Sequence, residues 1–173
     1  MIDKEKYSFK PYTEKYKYYF KQEKYNLERV LKINCPIEHI GSTAIPGLGG
    51  KGIVDVMLVA PKTKTGLLDT RLRKNKYDFR EASGNSGRLF YQRDYKYKNG
   101  VRRVHLHLMD EENQNWRDNI AFRDYLRNNP EDSAEYGRIK REGAKLCAGD
   151  KGIYKQYKHA FIQKILKKIN HEI

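Results

Sequence analysis

The stretch Ile53-Val54-Asp55-Val56-Met57-Leu58-Val59 constrains this chain more than any other. A nearly unbroken apolar run rich in β-branched residues fits a strand buried on both faces, inside a sheet covered by helices. Its one charge is Asp55. A carboxylate in such a strand is costly unless something binds it, so Asp55 is a candidate functional residue. Pro61 ends the run, and residues 41–52 ahead of it hold five of the thirteen glycines together with Pro46, the composition of a turn-rich loop.

The segments around this strand have their own periodicities. Tyr12, Tyr16, Tyr19, Phe20, Leu27, Val30 and Leu31 recur at helical spacing, which predicts a helix capped by Thr13 and running to about Lys32. Glu23 falls inside that apolar stripe and is expected to pair with an Arg or Lys of the core. Ile37–Ile40 reads as a short strand and 66–75 as a weak helix. Arg88–Asp94 and Val101–Met109 alternate as a hairpin turning at Lys98-Asn99-Gly100. Three helices follow, at Asp118–Asn128, about Glu131–Leu146 and about Ile153–Lys168, with Asn129 ahead of Pro130 as a cap and Gly149 and Gly152 at the last break. The expected class is α+β, a mixed sheet of four or five strands with flanking helices and a C-terminal helical segment. Residues 1–110 would form the core, and 111–173 the helices packed on it.

Charge narrows the partners. The formal net charge is +14, and residues 51–103 carry 14 Lys and Arg against 5 Asp and Glu. Residues 1–34 add +4 and residues 110–173 only +2, so a positive face attracting phosphates is expected from the middle of the chain. No apolar run approaches the length of a membrane span, and the first residues lack the apolar region of a secretory signal. Cys35 and Cys147 stand alone, which excludes a disulfide framework or a Cys-based zinc site and fits a cytoplasmic protein.

Two constellations could carry chemistry. In the first, Gly41-Ser42 precedes the Asp55 strand. Backbone N–H groups of a small-residue turn can approach a phosphate, the Ser42 hydroxyl can bind one of its oxygens, and Lys51 adds a point charge. Asp55 could then hold a divalent metal, Mg²⁺ or Mn²⁺, bridging the phosphates. In the second, Arg103, His105 and His107 share one face of a strand, and two imidazoles at that spacing can reach one metal ion or one phosphate. If that strand lies beside Asp55, then Asp55, His105 and His107 form one metal-ligating, catalytic set. Arg88, Arg93, Arg102 and Arg103 would border the site from the hairpin, Arg88 being the best placed to bind phosphate. His39 lies next to the Gly-Ser turn, where a structural hydrogen bond competes with a nucleotide contact. Trp116 and Phe122–Leu126 read as anchors of the helical tail. Fourteen tyrosines, six before residue 26, suit packing and also base stacking.

The string Gly41-Ser42-Thr43-Ala44-Ile45-Pro46-Gly47-Leu48-Gly49-Gly50-Lys51 resembles the GrpB family. The resemblance continues through Ile53-Val54-Asp55-Val56, His105-Leu106-His107-Leu108, Trp116, Phe122–Arg127 with Pro130, Tyr157-Lys158 and Phe161-Ile162. It implies the polymerase-β-like core of the nucleotidyltransferase superfamily, in which a Gly-Ser turn precedes a strand bearing two metal-binding acids at alternate positions. Nucleotidyl transfer from a nucleoside triphosphate to an unidentified acceptor, an RNA or another phosphate-rich molecule, is the implied reaction. Asp55 matches the first acid, but the second position is Met57, a poor ligand for a hard cation.

Three readings therefore compete: a metal-dependent nucleotidyltransferase, a non-catalytic nucleotide- or RNA-binding module, and a metal-dependent phosphohydrolase. The third lacks the expected further His and Asp, because Met109-Asp110-Glu111-Glu112 follows the histidine pair. The surroundings of Asp55 discriminate the first two. A second carboxylate there, folded in from Glu38, Asp94 or Asp110, favours the enzyme, and an apolar wall around Met57 favours the binder.

Overall fold

The computed structural model describes residues 9–83, 87–98, 100–147 and 150–171. Its elements are α1 (Lys15–Leu31), β1 (Ile37–Ile40), β2 (Val54–Ala60), α2 (Thr65–Lys74), β3 (Asp78–Phe79), β4 (Arg88–Tyr97), β5 (Gly100–Asp110), α3 (Gln114–Asn128), α4 (Pro130–Leu146) and α5 (Lys151–His171). The five strands form one mixed sheet in the order β1-β2-β5-β4-β3. Only β2 and β5 run parallel, and their register sets Asp55 opposite His105 and Met57 opposite His107. The class is α+β, as the sequence implies. Asn99 of the hairpin turn, residues 84–86 ahead of Arg88, and Gly149 lie outside the described residues.

Period-two alternation sorts the strands onto two faces. Val54, Val56 and Leu58 of β2 join Val104, Leu106 and Leu108 of β5 on the face covered by α1 and α2, where Leu27, Leu31, Leu68 and Leu72 are fully buried. Each such leucine contributes roughly 1.5–3 kcal/mol of burial. The opposite face carries Asp55, His105 and His107 and lies under the C-terminal helices. Those helices have their own core of Leu126, Tyr136, Phe161 and Ile165, joined by Ile45 and Leu48 of the glycine-rich loop. Guanidinium bonds staple α3 to β1 and to that loop: Arg123 donates to Glu38 at 2.7 Å and to the His39 carbonyl, and Arg127 donates to the Ala44 carbonyl.

The helix ends depart from expectation. Thr13 does accept the Lys15 N–H, at 3.4 Å, but Asn129 does not cap α4, because its amide instead donates to the Tyr125 carbonyl. Pro130 at the first turn needs no donor there.

Glu23 is buried as its position demands, and its hydrogen-bond donors are tyrosines, with Arg93 contributing its charge from behind them. Tyr77 donates to it at 2.5 Å and Tyr95 at 2.6 Å. Burial and the neighbouring carboxylate push the Tyr95 hydroxyl up to about 12 and Tyr77 higher still, so both remain donors. Arg93 lies over both tyrosine rings, at 4.8 and 4.7 Å. Replacing Glu23 with leucine strands two buried hydroxyls and is expected to cost about 2–4 kcal/mol in urea unfolding. The triple change Glu23→Leu, Tyr77→Phe, Tyr95→Phe should recover most of that loss, and no recovery would show that the hydroxyls are satisfied elsewhere.

Candidate functional site

Gly41 begins the site. Its φ of 71° is one that side-chain-bearing residues rarely adopt, and a Cβ added there would lie 2.6 Å from Asp55 Oδ2. The Gly-Ser turn thus presses its backbone directly against the carboxylate. At Gly50 a Cβ would fall 2.4 Å from Ser42 Oγ and 2.6 Å from Lys140 Nζ. Close packing therefore explains these glycines, independently of any phosphate. The N–H groups of Ala44, Ile45, Leu48 and Gly50 bond within the protein and are not offered to an anion. Gly41→Ala is expected to lose about 2–4 kcal/mol of unfolding free energy, from the left-handed φ and the displaced carboxylate. Chemical denaturation checks this, and a loss under 1 kcal/mol would mean that the turn relaxes freely.

Asp55 meets both histidines. His105 Nδ1 stands 3.3 Å and His107 Nε2 3.6 Å from the same oxygen, Asp55 Oδ1. Burial pushes the Asp55 carboxyl up, but the contacts with the two imidazoles outweigh it and hold the group well below the usual carboxylate range. Burial lowers His107, against the pull of Asp55, and the Arg88 charge lowers it further. Phe90 sets its ring edge-on to both imidazoles, at 4.9 and 5.1 Å, fixing their planes. His107 Nδ1 is buried with no protein partner among the described residues.

A pocket of about 210 Å³ opens over this cluster, lined by Gly41, Ser42, Lys51, Ile53, Asp55, His105, Tyr136, Lys140, Tyr154 and Lys158. Ser42 and Lys51 thus reach the site, and two lysines that the sequence reading missed join them from α4 and α5. Burial lowers Lys140 to about 7, assisted by the Lys158 charge, and its ammonium donates to the Gly49 carbonyl at 2.7 Å. Lys158 is likewise lowered by burial. Lys51 and Lys158 lie over the Tyr154 ring, at 5.1 and 4.6 Å. The near balance of residues 110–173 concealed this contribution, since residues 151–171 hold six lysines and no Asp or Glu. A second cavity of about 390 Å³ shares Gly41, Ser42, Tyr136 and Lys158 and continues between α3 and α5 past Asn115, Asn119, Phe122 and Gln163.

Other candidates lie elsewhere. Arg88 acts on His107 through its charge but is absent from the pocket lining and donates to the Ser83 carbonyl. Arg93 and Arg102 point to the opposite face, over tyrosine rings, and Arg103 is held by Asp94 at 2.8 Å. His39 stacks on Phe20 at 4.7 Å and bonds Thr43, and burial lowers it to about 4, a structural role.

Met57 shares the Asp55 face but is fully buried against Ile40, Val59 and Met109, with Trp116 and Ile120 of α3 packed over them. None of the three candidate carboxylates replaces the missing acid: Glu38 pairs with Arg123, Asp94 with Arg103, and Asp110 accepts the Glu112 N–H at the far end of β5. Among the described residues no group of three His, Cys, Asp or Glu side chains is arranged to hold a metal ion. The donor set does not fit a two-ion centre, which needs paired carboxylates. No helix among the described residues is long and apolar enough to cross a membrane.

Comparison with known proteins agrees with this architecture. The sequence model of the family described as GrpB protein matches residues 6–168. The UPF0157 protein YqkA of Bacillus subtilis is 32% identical over 134 residues, a match covering 76% of this chain and 38% of that protein, so the chain spans about two fifths of YqkA. The crystal structure of the conserved protein GrpB from Enterococcus faecalis superposes with a TM-score of 0.80 at 31% identity, covering 95% of this chain and 98% of that one. The Cid1 poly(U) polymerase, in a crystal structure with MgGTP bound, superposes with a TM-score of 0.51 at 13% identity, covering 75% of this chain and 41% of that one, a likeness of fold. With the family match spanning nearly the whole sequence, and the Gly-Ser turn, Asp55 strand and histidine pair built into one mixed sheet, this chain belongs to the GrpB family.

Proposed function

We propose that this protein binds a nucleoside triphosphate through its phosphates, in the pocket formed by Ser42, Lys51, Lys140 and Lys158. One observation carries the reading: three lysines converge on a pocket whose nearest carboxylate, Asp55, is already engaged by two imidazoles. Burial disfavours the charge on Lys140 and Lys158, and a polyanion would restore it. The adjoining cavity, with its amide side chains and Phe122, takes the nucleoside in this reading. The GTP in the Cid1 neighbour supports the choice of ligand. A magnesium ion bound mainly by the nucleotide's own phosphates needs few protein ligands, and Asp55 would be its carboxylate.

Nucleotidyl transfer is the second reading, with Asp55, His105 and His107 beside the reacting phosphate. The convergence of both imidazoles on one Asp55 oxygen favours it, and an RNA or another phosphate-rich molecule would be the acceptor.

Isothermal titration with ATP, GTP, CTP and UTP, each with Mg²⁺, with Mn²⁺ and with EDTA, tests the binding. Ser42→Ala with Lys51→Ala is expected to weaken affinity at least tenfold, and unchanged affinity would remove the assignment. Label transferred from any of the four triphosphates to an RNA or small-molecule pool, and lost in Asp55→Ala, would establish the enzyme.

A further inference from the structure

On the sheet face away from Asp55 lies a second surface that the phosphate pocket does not use. Tyr18, Lys21, Tyr25, Arg29 and Lys32 recur every three or four residues along the outer side of α1, so aromatic rings and cations alternate there. Tyr18 is 58% and Tyr25 61% exposed, and the Arg29 guanidinium lies over the Tyr25 ring at 5.7 Å. At the hairpin end Tyr97 is 56% exposed. A chain of side-chain contacts joins these ends. Tyr18 accepts from Gln22, Gln22 accepts from Arg102, and the Arg102 guanidinium lies 5.6 Å from the Tyr97 ring and 4.4 Å from Tyr95. Arg93 continues from Tyr95 at 4.7 Å. The ladder ends in a cavity of about 410 Å³ lined by Asn26, Arg29, Val30, Lys32, Asn75 and Arg93.

We propose that this track between α1 and the β4–β5 hairpin binds single-stranded nucleic acid. Exposed tyrosines offer stacking platforms for unpaired bases, and the guanidinium and ammonium groups between them suit a phosphodiester backbone. The cavity combines three cations with two amides, a lining that attracts phosphate and hydrogen-bonds sugar or base edges. Charge complementarity favours this occupant, since the chain's net charge is +14. An apolar peptide would have no use for the cations, and a duplex would hide the base faces that tyrosines stack upon.

Fluorescence anisotropy with labelled U20 RNA and T20 DNA tests the track in the full chain. The variant Tyr25→Ala, Arg29→Ala, Tyr97→Ala should bind at least tenfold more weakly with an unchanged melting temperature, and Tyr25→Phe with Tyr97→Phe should stay within twofold of the parent. Lys140→Met with Lys158→Met, on the other face, should leave oligonucleotide affinity unchanged. Binding of either oligomer with this pattern supports the proposal and identifies the sugar preferred. No binding of either, a triple variant within twofold of the parent, or equal competition by polyphosphate of matched charge would overturn it. Oligonucleotide affinity lost in the lysine pair but kept in the triple variant would also overturn it, placing the strand in the phosphate pocket instead.

Discussion

Met57→Asp is expected to destabilise the protein by about 3–5 kcal/mol rather than to install a second metal ligand. On sequence alone the change would complete the acid pair of the nucleotidyltransferase superfamily. In the fold, Met57 is enclosed by Ile40, Val59 and Met109 under Trp116 and Ile120, where a carboxylate finds neither water nor cation. The new group would hold its proton, with a folded-state pKa above the unfolded value of about 3.9. The sign of the linkage follows. Its stability cost is smallest below that unfolded value and grows as pH rises through the folded one. Urea denaturation at pH 4 and pH 7 should therefore show the larger deficit at pH 7. Met57→Leu, nearly conserving volume, should cost under about 1.5 kcal/mol at both. A Met57→Asp protein as stable as its parent, with Mg²⁺ raising its melting temperature, would show that α3 opens and that a two-ion centre forms after all.

Lys140→Met with Lys158→Met is expected to weaken nucleotide affinity roughly 100-fold or more, since each charged hydrogen bond to phosphate contributes about 1.5–3 kcal/mol. Binding should also depend on pH. Lys140 titrates at about 7 in the free protein, so raising pH from 6 to 9 removes its charge and weakens binding. A bound polyanion moves that midpoint upward, because phosphate favours the charged ammonium. The nucleotide's terminal phosphate, ionising near about 6, acts in the opposite direction. Both proteins share that contribution, so the difference between parent and Lys140→Met isolates the lysine. Titrations at pH 6, 7.5 and 9 measure it. Equal pH profiles in the two proteins would mean that Lys140 serves only its bond to the Gly49 carbonyl. The melting temperature should change little in the double variant, because relief from desolvating two ammonium groups offsets the lost Lys140 bond to the Gly49 carbonyl.

Local patterns determined much of this molecule. The apolar run around Asp55 made β2, and alternation over Val101–Met109 made β5 and set His105 and His107 on one face. Gly41 was legible as a turn, because positive φ is a property of one residue and its neighbours. The choice of partners was not legible. Glu23 meets hydroxyls 54 and 72 residues away, and Lys140 reaches a carbonyl 91 residues back. Helical spacing says that Glu23 is buried, but not that tyrosines rather than an arginine will face it. Segment charge likewise hid α5, whose lysines were averaged against the acids of α3 and α4. Period two puts Met57 on the Asp55 face, yet only the seating of α3 makes that position dry. Periodicity follows from backbone geometry and is written along the chain. The dielectric around a side chain, and hence its charge and chemistry, depends on what distant segments pack against it, which only the tertiary structure decides.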